Sequence, residues 1–116
     1  MVGPNDEVHI SFTESGGSTF SHATNTTVNG SLAWSISEIG SEGDGGGESS
    51  IAVDSSGGVH ISYHKGMDDQ LIYTNSTSPF NVWQVGYSDW DSGVKNCGDY
   101  NSLAIDSYDR VHISYG

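Results

Sequence analysis

Apolar positions along this chain fall in short runs of about five residues, hydrophobic at alternate positions or throughout, and each run is bounded by Gly, Ser, Asn or Asp. That period and those boundaries predict β-strands, and no stretch carries helical periodicity of useful length. One run, Val-His-Ile-Ser, occurs three times, at 8–11, 59–62 and 111–114, in steps of 51 and 52 residues. Self-similarity at a fixed period of this size marks tandem supersecondary units. Other landmarks keep the same time. Ser-Ile-Ala-Val-Asp at 50–54 recurs as Ser-Leu-Ala-Ile-Asp at 102–106, His22-Ala23-Thr24-Asn25 as Ile72-Tyr73-Thr74-Asn75, and Trp34 as Trp83.

The landmarks define four strands per repeat: A (50–54), B (59–63), C (70–75) and D (81–87). A polar hairpin turn, Ser55-Ser56-Gly57-Gly58, joins A to B. Four antiparallel strands in about 50 residues, repeated in tandem, predict an all-β chain of β-propeller blades, about two per chain. The expected division is one domain of tandem blades: 1–49 a blade lacking its first strand, 50–101 a complete blade, and 102–116 the first two strands of a further one. Pro4-Asn5-Asp6-Glu7 stands as the counterpart of the turn Ser107-Tyr108-Asp109-Arg110. Two blades cannot close a propeller, and each must pack residues such as Ile51, Val53, Val59, Ile61 and Trp83 against both neighbours. Open strands at 8–12 and 111–115 and two uncovered blade faces therefore predict a homo-oligomer that closes the ring, a trimer by preference, or a filament where the contacts do not close.

The run at 50–63, Ser-Ile-Ala-Val-Asp-Ser-Ser-Gly-Gly-Val-His-Ile-Ser-Tyr, resembles the strand-turn-strand signature of NHL-type propeller repeats and of related bacterial Asp-box and SBBP-like propellers. The likeness recurs at 102–115 and in part at 6–12. The resemblance implies the propeller fold, and with it protein-binding platforms, lectins or glycosidases rather than any one activity.

Charge narrows the classes. Fifteen acidic residues face only Lys65, Lys95 and Arg110, a formal net charge of −12. Nucleic acids and anionic membrane surfaces need clustered Lys and Arg, so both are excluded as partners, which leaves cations, neutral glycans and basic proteins. Cys97 is the sole cysteine, so no intrachain disulfide forms. No apolar run reaches membrane-spanning length, and residues 1–8 lack the features of a signal peptide. An export signal is expected to have been removed or never present, and the expected location is extracellular or the cell surface.

An up-and-down blade sorts the loops by end. The B–C and D–A loops, at 13–18, 64–69, 40–48 and 88–100, share one end and hold most of the acidic residues. There Trp90, with Tyr87 and Tyr100, forms an aromatic group suited to stacking on a sugar ring or a protein partner. The alternative is a lid over the adjoining core. His64, Asp68 and Asp69 complete this candidate ligand-binding set. Asp89, Asp91 and Asp99 offer oxygen ligands for Ca²⁺ on a Gly-containing loop, with a solvated acidic loop as the alternative. No other cofactor is expected. The C–D loops, at 25–31 and 75–79, lie at the opposite end and carry the N-glycosylation patterns of Asn25, Asn29 and Asn75.

Three residues recur with the blades. His9, His60 and His112 hold one position in every B strand, where each makes a structural hydrogen bond to a residue such as Asp54 or Asp106 across the hairpin, or ligates a metal. Trp34 and Trp83 are expected between blades as core. A sialidase-like hydrolase, on the resemblance, would hold its substrate carboxylate with three arginines, and Arg110 is the only one. The sequence thus points to a non-catalytic extracellular binding or scaffold module for a glycan or an extracellular protein. The alternatives are a glycoside hydrolase on neutral polysaccharide working through Asp68 and Asp69, and a structural subunit of a surface assembly or filament.

Overall fold

The computed structural model describes residues 1–14, 19–40, 48–65, 70–76, 81–87 and 98–116, with backbone alone at 26–28 and 81–87. Nine strands and no helix occur among them: β1 (His9–Thr13), β2 (Phe20–Val28), β3 (Ser31–Gly40), β4 (Ser49–Val53), β5 (Val59–Lys65), β6 (Gln70–Asn75), β7 (Asn81–Tyr87), β8 (Ser102–Ile105) and β9 (Val111–Ser114). Every pairing is antiparallel between sequence neighbours, giving three sheets in the orders β1-β2-β3, β4-β5-β6-β7 and β8-β9. The sheets stand in a row, within extents of 55 × 35 × 21 Å. Adjacent sheets touch along β1, β4 and β8, so the first strands of the units lie beside one another.

Ahead of β1 the first unit has a single bridge at the place of an A strand. Val2 bridges Val8 as Val53 pairs with Val59, and the His9 N–H donates to the Met1 carbonyl at 2.8 Å. The β2–β3 hairpin closes through Asn29 and Gly30 with φ of 51° and 77°, the left-handed pair that a two-residue type I′ turn needs. A bulge recurs at one place in two sheets: between Phe20 and Ser21 opposite β3, and between Leu71 and Ile72 opposite β7. In the first it leaves Ile39 without a ladder partner, and Ile39 packs onto the core.

Alternation along β5 sets the layering. Val59, Ile61 and Tyr63 share one pleat face, here called the front, and His60 and Ser62 the other, the back. The front of the second sheet packs on the back of the first, where Phe20 stacks on Tyr63 at 4.1 Å with 14° between the rings. Phe20, Val59, Ile61, Tyr63 and Ile72 make the core, flanked by Ile39, Ile51 and Val53. The back of the second sheet meets the third. Removing the apolar surface of these front faces from water is what favours the row over separate hairpins, at about 25 cal/mol per Å².

A polar bond repeats at each junction. Ser11 Oγ lies 2.9 Å from Ser49 Oγ between the first and second sheets, and Ser62 Oγ donates to Asn101 Oδ1 at 2.7 Å between the second and third. These are the same positions one repeat apart. Asn101, buried, also donates through Nδ2 to the Glu48 and Gly98 carbonyls at 3.0 and 2.9 Å, and the Leu103 N–H donates to Ser50 Oγ at 3.0 Å.

Trp34 differs from expectation. It is 51% exposed on β3, in line with Leu32 and Ile36, and no sheet among the described residues covers that end of the face. Nor is it the register equivalent of Trp83: Trp34 pairs with Asn25, whereas Trp83 pairs with Tyr73 and its side chain lies outside the described residues. The third sheet departs in a second way. Its open face is not apolar but carries Ser102, Ala104, His112 and Ser114.

Candidate functional site

The A-to-B turn is where the repeat concentrates its charged chemistry. In the second unit Asp54 opens the turn and accepts the N–H groups of Ser56 and Gly58 on Oδ1, at 3.0 and 2.7 Å. Its Oδ2 accepts the Nε2–H of His60 at 2.8 Å, which leaves His60 Nδ1 as acceptor for the Tyr73 hydroxyl at 2.7 Å. Gly57 takes φ of 84° at the tip. The hydrogen bond from His60 holds the Asp54 carboxyl below the usual carboxylate range, with the Gly58 and Ser56 amides adding to it against partial burial.

The third unit repeats the device. Asp106 accepts the Tyr108 and Arg110 N–H groups at 2.9 and 3.0 Å, the Arg110 Nε–H at 2.7 Å and the His112 Nε2–H at 2.9 Å. The His112 bond is the main cause that depresses its pKa. Asp109 takes φ of 59°, left-handed like Gly57, and its carboxylate accepts the Ser55 N–H at 3.0 Å and the Ser55 hydroxyl, tying two successive turns together.

The first unit places its carboxylate by reversal, although His9 Nε2 is buried without a hydrogen-bond partner. Gly3 stands where Asp54 stands, and Glu7 where Gly58 stands, with equivalent turn bonds from Gly3 N to Glu7 O and from Asp54 N to Gly58 O at 2.7 and 2.8 Å. Glu7 Oε2 accepts the Asn5 N–H at 2.8 Å, and Oε1 lies 3.4 Å from His9 Nε2. The carboxylate therefore arrives from the far end of the turn. His9 Nδ1 lies 3.1 Å from His22 Nε2, and the rings stack at 5.3 Å, so His22 replaces Tyr73. Burial, then the neighbouring His9, pushes the His22 pKa down to about 4.

The register of this pair corrects the sequence alignment. His22 corresponds to Tyr73, not to Ile72, and Asn25 to Ser76, not to Asn75. Asn25 Oδ1 accepts the Val8 N–H at 2.6 Å just as Ser76 Oγ accepts the Val59 N–H at 2.7 Å.

The expected hydrogen bonds of His60 to Asp54 and of His112 to Asp106 are thus both present. Chemically the Asp54–His60–Tyr73 chain could polarise a phenol, but burial raises the Tyr73 pKa, keeping it a protonated donor rather than a nucleophile. A cavity of about 80 Å³ beside it, lined by Asp54, Gly58, Val59, His60, Asn75 and Ser76, is far below the roughly 300–1,000 Å³ of small-molecule sites. The turn chemistry is a clamp on the hairpin.

At the other end of the strands, the structure brings His64 of the expected ligand-binding set to Asp99 of the expected Ca²⁺ set. His64 Nδ1 lies 3.4 Å from Asp99 Oδ1, and Tyr100 follows directly with its ring 80% exposed. Tyr100 holds φ of 52°, and its N–H donates to the Glu48 carboxylate, which fixes the loop against the second sheet. Tyr87 ends β7 opposite Gln70, its side chain outside the described residues. Trp90, Asp68, Asp69, Asp89 and Asp91 lie outside the described residues as well. Among the described residues no three metal-ligating side chains gather, and Asp99 is directed at His64. Of the glycosylation patterns, Asn29 lies on an exposed turn, whereas Asn25 and Asn75 sit within β2 and β6 rather than in loops. Among the described residues no helix is long and apolar enough to cross a membrane.

Comparison with known protein families, curated proteins and solved structures returned no match.

Proposed function

We propose that the chain is a run of β-propeller-type blades serving as a non-catalytic extracellular binding or scaffold module. The observation that carries this reading is the twice-made junction, Ser11 to Ser49 and Ser62 to Asn101. Sheet follows sheet with first strands side by side, as blades follow one another around an axis. The recurring Asp, Glu and His side chains are engaged in holding hairpins, so the repeat chemistry serves the scaffold.

Binding falls to the loop end that carries Tyr100, Asp99 and His64. An exposed tyrosine that follows directly on a carboxylate paired with an imidazole suits the stacking and hydrogen-bonding needs of a sugar ring, and the net charge of −12 favours neutral glycans over anionic ones. A glycan array with the intact chain tests this. Retention of a neutral glycan, lost in Tyr100→Ala at unchanged melting temperature, is the expected result. Release of reducing sugar that disappears on substitution of Asp68 or Asp69 would replace the reading with that of a hydrolase.

A further inference from the structure

Among the described residues the third sheet presents an exposed face and the first sheet a partly exposed one, and their counterparts elsewhere in the chain are covered. On the back of the third sheet Ser102, Ala104, His112 and Ser114 are exposed. Their counterparts beneath that sheet are Ser50, Ala52, His60 and Ser62, and of these Ala52 is 7% exposed and Ser62 fully buried. On the front of the first sheet Ile10 is 44% and Ile36 62% exposed, whereas Ala23 between them and Ser21 are buried; the counterpart of Ile10, Ile61, is fully buried. Ile10 pairs with Ala23 and Ala23 with Ile36, a continuous cross-strand row that Trp34 and Leu32 extend along β3. Two halves of one kind of junction stand open.

We propose that these halves meet between two copies of the chain, the back of the third sheet in one copy seating on the front of the first sheet in the other. The occupant is argued from the internal junctions. A front of Ile51, Val53, Val59 and Ile61 covers His9 and Ser11, and a front of Leu103, Ile105, Val111 and Ile113 covers His60 and Ser62. Val2, Val8 and Ile10 hold the register positions of Val53, Val59 and Ile61. Back-to-back pairing would oppose two copies of the Asp106 carboxylate, and front-to-front pairing would leave both histidine faces open, so the head-to-tail contact is the one whose chemistry matches. The inference rests on the blade reading and names its partner.

The test is the mass in solution of the full 12.3 kDa chain and of two surface variants, Ile10→Asp on the front and Ala104→Asp on the back. The wild type is expected to associate, and each variant alone to be a monomer with unchanged far-UV circular dichroism. An equimolar mixture of the two variants is expected to give a dimer, because each retains one intact face and the altered faces repel. Should either variant fail to fold, Ser114→Glu serves for the back and Ile36→Asp for the front. A monomeric wild type, variants that still associate, or a mixture that stays monomeric would each overturn the contact. Glycan binding through Tyr100, measured on the same samples, separates this outcome from failure of the binding reading.

Discussion

The Glu7 carboxylate fills the space that a side chain at Gly3 would need: a Cβ built on Gly3 would lie 1.8 Å from Glu7 Oε1. In the next repeat the roles are exchanged, and a Cβ on Gly58 would lie 2.4 Å from Asp54 Oδ2. One carboxylate occupies each turn, and the end that does not supply it is glycine in the first two units and, in the third, Arg110, whose side chain is directed at the carboxylate. Gly3→Asp alone is therefore expected to lower the melting temperature, and Glu7→Gly alone to do the same. The double variant, which copies the Asp54–Gly58 arrangement, should melt above either single one. Additive losses would count against the exchange.

Asp54→Ala removes the acceptor for His60 and for two backbone N–H groups at once, and is expected to destabilise by about 2 kcal/mol. Asp54→Asn retains an acceptor for the Ser56 and Gly58 amides and should cost less. Urea titration of the two variants checks the order.

His22 is held neutral by burial, with its pKa lowered to about 4 from 6.5. Between those values the unfolded chain binds more protons than the folded one, so stability is full above pH 6.5 and falls as the pH drops towards 4. Allowing for solvent screening, the loss is about 1–2 kcal/mol. Thermal melts from pH 7 to 4 should show the decline, and His22→Gln should flatten it. An unchanged slope in that variant would assign the decline to other groups.

Asn101→Ala would strand the Ser62 hydroxyl and the Glu48 and Gly98 carbonyls, and about 2–4 kcal/mol is the expected cost. Asn101→Ser, which installs the residue found at the equivalent Ser49, should recover part of it. Phe20→Ala, which empties the ring stack on Tyr63, should cost about 3–5 kcal/mol.

Strand alternation and the three Val-His-Ile-Ser runs place the A and B strands of the second and third units and set His60 across the hairpin from Asp54, whereas residues 25–28, expected in a C–D loop, extend β2. The reversal at Gly3 and Glu7 was hidden, since comparing residue types in order sets Gly against Asp and Glu against Gly and finds no likeness. Only the space inside the turn makes them equivalent. The one-residue offset at His22 had a similar source: Thr-Asn at 24–25 matches Thr-Asn at 74–75 in letters, while the hydrogen bond to the preceding strand selects Ser76. Trp34 misled for a third reason. The β2–β3 hairpin is longer than β6–β7, so tryptophans at similar distances along the repeat fall at different heights in their sheets. At the loop end His64 and Tyr100 belong to the expected ligand-binding set and Asp99 to the expected Ca²⁺ set, and the Glu48 carboxylate that anchors Tyr100 is not legible in the sequence because it lies 52 residues away in the preceding loop.

Contact between apolar sheet faces is non-directional, so valine and isoleucine alone would let one sheet slide or rotate on the next at little cost. The Ser11–Ser49 and Ser62–Asn101 bonds sit at one height in successive junctions and act as index pins. They set the same angular step each time a sheet is added. Ser62→Ala should therefore leave the sheets adhering while spreading the angle between them, and any closed assembly of such chains would lose its single subunit number before it lost its fold.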